Sequence, residues 1–83
     1  MVILTVDIGS SSVRATLFDR YAQAVPGATA ARAHQFVLTP AGAVTADPQH
    51  LRALVEACID QVLTHPRAAQ IMAVMLAAFT STL

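Results

Sequence analysis

Lysine is missing from this sequence, and every basic side chain is an arginine: Arg14, Arg20, Arg32, Arg52 and Arg67. A Walker-type phosphate loop is therefore excluded, because that loop reaches the phosphates with the lysine of G-K-[ST]. The arginines are scattered and balanced by five acids, for a formal net charge of zero. No basic patch marks a nucleic-acid surface. Cysteine is nearly missing too. A single thiol, Cys58, makes no internal disulfide, which reads as a reducing, cytoplasmic setting. The start, MVILTVDIG, lacks the charged n-region of a secretory signal. The longest apolar run, Ile71 to Phe79, falls far short of the roughly 20 residues that span a bilayer as a helix. Neither nucleic acid nor a membrane is an expected partner. The three histidines, His34, His50 and His65, share no metal-ligand spacing.

What is present is apolar. The 83 residues are 55 % hydrophobic and make one domain at most. A chain this short buries only roughly 60–65 % of its unfolded surface, so it is marginally stable alone. So much apolar content points to sheet and helix faces that need another layer, from more chain or from a second subunit in a homo-oligomer.

Val2 to Asp7 is apolar on nearly every residue and rich in β-branched side chains, the pattern of a central strand covered on both faces. Gly9 to Ser12 breaks it. Val13 to Phe18 forms a second strand, with Val13, Ala15 and Leu17 on one face and Arg14, Thr16 and Phe18 on the other. So short a turn predicts an antiparallel hairpin. Asp19 to Ala33 reads as irregular, with a turn at Pro26-Gly27. His34 to Thr39 reads as a third strand beside the second, ended by Pro40 and Gly42 and briefly continued by Val44.

Asp47-Pro48 is a helix start, with aspartate as N-cap and proline in the first turn. Leu51, Leu54, Val55, Cys58, Ile59 and Val62 then recur at spacings of three and four and make one apolar stripe. Pro66 stops the helix after His65, giving roughly 16–18 residues or about 25 Å. His65 is placed to complement the helix C-terminus. Ile71 to Ala77 is the fourth strand, apolar throughout and so central, with Met72 and Met75 as core or strand residues. The helix crosses over to a fourth strand parallel to the first, and such crossovers are right-handed. The expectation is an α/β fold with a mixed sheet of order 3-2-1-4 and one helix on one face.

The stretch between the first two strands, DIGSSSVRATLFD, carries the chemistry. A hairpin turn needs no row of hydroxyls. Gly9 removes a Cβ where a ligand can approach the backbone. The N–H groups of Ser10, Ser11 and Ser12 can form an anion-binding nest, and their hydroxyls add donors. Arg14 offers a delocalised charge to phosphate oxygens. Asp7 can hold Mg²⁺ directly or through its waters. Together these suit a nucleotide–magnesium complex. The plain alternative is a polar turn with an ordinary end-of-strand aspartate and a solvated arginine.

VDIGSSSVRATLFD resembles the first phosphate motif of the actin-like ATPases and, more closely, the N-terminal hairpin of the FGGY carbohydrate kinases. That hairpin is D-x-G-[TS]-[TS]-S-x-[RK] followed by a strand ending in aspartate. The matching residues are Asp7, Gly9, Ser10, Ser11, Ser12, Arg14 and Asp19. TPAGAVTADPQHL is similar to the family's D-P helix entry, and IMAVMLAAFTSTL to its next strand and the start of a sugar-side loop. The resemblance implies a ribonuclease-H-like domain and Mg-ATP-dependent phosphorylation of a sugar or polyol hydroxyl. Asp7 would serve magnesium, while Gly9 to Ser12 and Arg14 would serve the phosphates. Thr80 and Ser81 would lie near the sugar.

The family's aspartate base, adenosine motif and FGGY signature have no counterpart among these residues. Residues 1–83 therefore read as the incomplete N-terminal part of such a kinase's N-terminal domain, without turnover of its own. A non-catalytic, self-associating module or a truncated relic of that fold is the alternative, and an actin-like ATPase of non-sugar function is a third reading.

Overall fold

A computed structural model describes residues 1–9, 11–34, 37–38, 44–45 and 48–78. Strands β1 (Val2–Ile8) and β2 (Ser12–Asp19) form the expected antiparallel hairpin, in register from Val2 opposite Asp19 to Ile8 opposite Val13. The crossover helix α1 (Pro48–Leu63) is followed by a 3₁₀ helix over Pro66–Gln70 and then β6 (Ile71–Ala78), which pairs parallel to β1. The remaining strands are β3 (Ala24–Ala33), β4 (Val37–Leu38) and β5 (Val44–Thr45). The main sheet runs β3-β2-β1-β6, and β4 and β5 make a separate antiparallel pair. The expected order holds, with the third place taken by an earlier segment.

That substitution is the main correction. Ala24–Ala33, expected to be irregular, is a ten-residue strand paired with β2, and of the expected third strand Val37–Leu38 pairs with β5 instead of β2. Strand propensity is weak in a run rich in alanine and interrupted by proline and glycine, and a bulge hides the alternation. Leu17 of β2 faces the whole stretch Val25–Ala28, because Thr16 pairs with Thr29 and Phe18 with Ala24. Pro26-Gly27 lies inside this bulge and does not end the strand. Gly27 has φ 74°, a left-handed conformation open to glycine. Pro26 is tolerated because β3 is an edge strand. Val44, expected to prolong the third strand, belongs to β5.

The core lies between the sheet and α1. Val2, Leu4 and Val6 of β1, with Val13, Ala15 and Leu17 of β2, are buried on the helix side. From β3 come Val25, Ala28 and Ala30, and from α1 come Cys58 and Val62. The small side chains of Ala28 and Ala30 let α1 settle over β2 and β3. Cys58 is fully buried as a small hydrophobe, its thiol donating to the Val13 carbonyl at 3.6 Å. The rest of the predicted stripe, Leu51, Leu54, Val55 and Ile59, packs against this core half-buried.

Two further expectations change. The helix ends at Leu63, and His65 caps the following 3₁₀ helix instead of closing α1. Its Nδ1 accepts from the Arg67 N–H at 3.1 Å. Its Nε2 donates to the Pro26 carbonyl at 3.2 Å, which ties the β3 bulge to the crossover. β6 takes the edge position that the order 3-2-1-4 gives it, but it is not covered on both faces as its continuous apolar run suggested. The helix lies over β2 and β3, so Met72, Val74, Met75 and Leu76 are exposed, each by more than half. Asp47, Pro40, Gly42, Thr80 and Ser81 lie outside the described residues.

Candidate functional site

Alternation in the hairpin sorts its side chains. Val13, Ala15 and Leu17 point to the helix, so Ser12, Arg14, Thr16 and Phe18 project from the opposite, open face. On β1, Thr5 and Asp7 share that face, as the cross-strand partners of Thr16 and Arg14. β6 adds Met75 and Ala77, in register with Thr5 and Asp7. All of these open-face residues but Ser12 line an open hollow of about 510 Å³ on the face away from α1.

Asp7 and Arg14 stand directly opposite each other near the end of the hairpin. Both are exposed. Among the described residues the ion pair is Arg52–Glu56 on α1, at 2.8 Å, and Asp7 and Arg14 form none with each other. Their charges therefore remain available to a ligand of mixed charge. Magnesium typically keeps several waters and takes one or two carboxylates plus phosphate oxygens. One exposed, unpaired carboxylate fits that mode. Among the described residues no cluster of three His, Cys, Asp or Glu side chains could hold a metal without such help.

The turn joining the strands is drawn tight by a bond from the Gly9 N–H to the Ser12 carbonyl at 2.8 Å. Gly9 is not needed for a left-handed backbone here. A Cβ built on it would meet the Ser12 carbonyl at 3.4 Å, an ordinary contact. Folding alone thus leaves that glycine unexplained. Ser11 is exposed and Ser12 half-buried, and among the described residues neither hydroxyl is engaged. Ser10 lies outside the described residues. The structure thus gathers Asp7, Gly9, Ser11, Ser12 and Arg14 at one end of one hairpin. Asp19 stands at the far end, where its Oδ1 accepts from the Tyr21 and Gln23 N–H groups at 2.8 and 3.0 Å and closes a turn.

Two features escaped the sequence reading. His34 is buried just past β3, its Nε2 2.7 Å from the Gly9 carbonyl and its N–H donating to the Ser11 carbonyl at 2.9 Å. An expected strand start is thus a clasp on the turn. No local signal marks it, because the partners are 25 residues apart. Next, Thr5, Thr16 and Thr29 sit in register across β1, β2 and β3 on the open face. Thr5 Oγ1 donates to the Thr16 carbonyl at 3.2 Å, and Thr29 Oγ1 to Thr16 Oγ1 at 3.4 Å. Threonine in three adjacent strands was a visible signal, but it needed the β3 register to be read.

No family model matches the sequence, and no curated protein matches it. Solved structures do. The ligand-bound xylulose kinase of Lactobacillus acidophilus is similar, with a TM-score of 0.74 at 22% identity over 93% of this chain. The gluconate kinase of the same organism matches with a TM-score of 0.71 at 20% identity over 94% of this chain. The chain spans only 15% and 16% of those two proteins. Together with the sheet order and the crossover helix, these likenesses show that the described residues carry a ribonuclease-H-like α/β fold, shared with a segment of those two kinases.

Proposed function

We propose that this chain is the N-terminal segment of an FGGY-type carbohydrate kinase and that its first hairpin takes part of the Mg-ATP phosphates. The observation that carries the reading is the cross-strand pairing of Asp7 with Arg14 on one open face, beside a turn in which, among the described residues, the Ser11 and Ser12 hydroxyls are unengaged. The fold shared with two sugar kinases supports it. Bound magnesium would neutralise charge on the phosphates during transfer to a sugar or polyol hydroxyl. Asp7 would hold the ion, directly or through its waters. Ser10, Ser11 and Ser12 offer amide and hydroxyl donors to phosphate oxygens, and Arg14 adds a delocalised positive charge. The chain's contribution is positioning and charge complementarity. A general base for the sugar hydroxyl belongs elsewhere in the complete enzyme.

Isothermal titration of the 83-residue protein with ATP, with and without Mg²⁺, tests the reading. Magnesium-dependent binding that Asp7→Asn weakens supports it, and equal binding by both proteins refutes it. In a coupled ADP-release assay with pentoses, hexoses, gluconate and glycerol, this chain is expected to show no sugar-dependent turnover, and turnover would overturn that expectation. The second reading, a self-associating module without catalysis, is favoured by the exposed apolar strand β6. A defined dimer at micromolar concentration with no response to ATP would select it.

A further inference from the structure

The turn at Gly9–Ser12 is shaped by a residue outside the hairpin. A turn can attract an anion only if its N–H groups face the ligand and its carbonyl oxygens face away, since a carbonyl oxygen repels phosphate. In this turn the carbonyls of Gly9, Ser11 and Ser12 are each taken by a donor of the chain. The Ser12 carbonyl accepts from the Gly9 N–H at 2.8 Å, inside the hairpin. Both of the others are taken by His34. Its backbone N–H reaches the Ser11 carbonyl at 2.9 Å, and its ring Nε2 lies 2.7 Å from the Gly9 carbonyl. A carbonyl oxygen accepts, so Nε2 carries the proton. His34 is only 7% exposed, and its ring is therefore held in place. Among the described residues, no carbonyl takes the Ser11 N–H, which lies on an exposed residue.

We infer that His34 is a positioning residue for the anion-binding turn: it anchors the Gly9 and Ser11 carbonyls inward and so presents the turn's amide edge to phosphate. This rests on the phosphate reading of the hairpin given above. The ring touches no ligand. It acts through the backbone of Gly9, and its backbone N–H acts through Ser11. Only the ring's share is open to substitution. Glutamine can place its Nε2 amide where the imidazole Nε2 stands, whereas leucine fills similar space without a donor.

The test uses the 83-residue protein and magnesium tripolyphosphate as probe, with ¹H–¹⁵N spectra reading the amides of Ser11 and Ser12. Wild-type protein is expected to show saturable shifts at these amides. His34→Leu is expected to weaken the apparent affinity about tenfold, the effect of freeing one part-buried carbonyl to turn toward the anion. His34→Gln restores it to within about threefold, because the donor is returned. A merely structural histidine would lower the melting temperature of both variants and leave the affinity of the folded protein unchanged. Binding at the turn that is equal in wild type and His34→Leu overturns the inference and leaves the phosphate reading standing. Absence of any shift at the wild-type turn overturns both. Should His34→Leu fail to fold, a folded His34→Gln that loses the response overturns the inference. So does a wild-type ring ¹⁵N spectrum with the proton on Nδ1 and a bare Nε2.

Discussion

Asp7 in β1 and Arg14 in β2 are cross-strand partners on the open face, one pair below the last rung of the hairpin, and they leave each other's charge unpaired. Adjacent opposite charges would normally associate at a surface, though such pairs contribute little. A ligand carrying both a cation and an anion satisfies both residues at once. Asp7→Asn should weaken Mg-ATP binding by about tenfold or more, as charge-assisted hydrogen bonds contribute roughly 1.5–3 kcal/mol. Magnesium-free ATP should bind no worse, because the neutral amide no longer repels phosphate. Titration calorimetry with and without EDTA reads the difference.

Gly9→Ala separates folding from binding. The added methyl meets the Ser12 carbonyl at an ordinary 3.4 Å, so urea unfolding should shift by no more than about 1 kcal/mol in either direction. Phosphate affinity at the turn should fall markedly, because the methyl occupies the approach to the backbone. A variant that binds tripolyphosphate as well as wild type would make Gly9 incidental.

Ala22 sits at φ 60° in the turn between β2 and β3, where the Asp19 carbonyl accepts its N–H at 3.0 Å. An L-residue in the left-handed region is strained by roughly 1–2 kcal/mol. Ala22→Gly relieves that strain and gives back part of it through the freer unfolded chain. The expected net gain is about 0.5–1 kcal/mol, read from the urea midpoint at unchanged slope.

The exposed strand β6 is apolar on both faces and carries no charge from Ile71 to Ala78. Such an edge invites pairing with other chains. Light scattering of the purified protein should show mass rising with concentration. Val74→Lys, on the outer edge strand, should suppress it without lowering the melting temperature, because Val74 is 63% exposed and packs little.

Much of the architecture was legible because its signals are local. Alternation marked the helix-facing residues of β2, the D-P pair and the three-four spacing marked α1, and the apolar run after Pro66 marked β6. β3 was not legible. Its alternation is interrupted by the bulge at Val25–Ala28, and its inner positions are alanines, which carry little hydrophobic signal. The exposure of β6 was misread for a different reason. A continuous apolar run reports what a strand can bury, but where α1 lies decides what is covered.

The sequence by itself determined the hairpin, the residues grouped at its tip and the parallel return of the fourth strand. These follow from side-chain period, turn chemistry and the handedness of a crossover, all of which act within a few residues or one connection. Tertiary structure alone decided that Ala24–Ala33 would pair with β2, that α1 would cover β2 and β3 and leave β6 bare, and that His34 would clasp Gly9. Each of those depends on groups far apart in the chain, brought together only when burial of the shared core offsets the entropy of closing the loop between them.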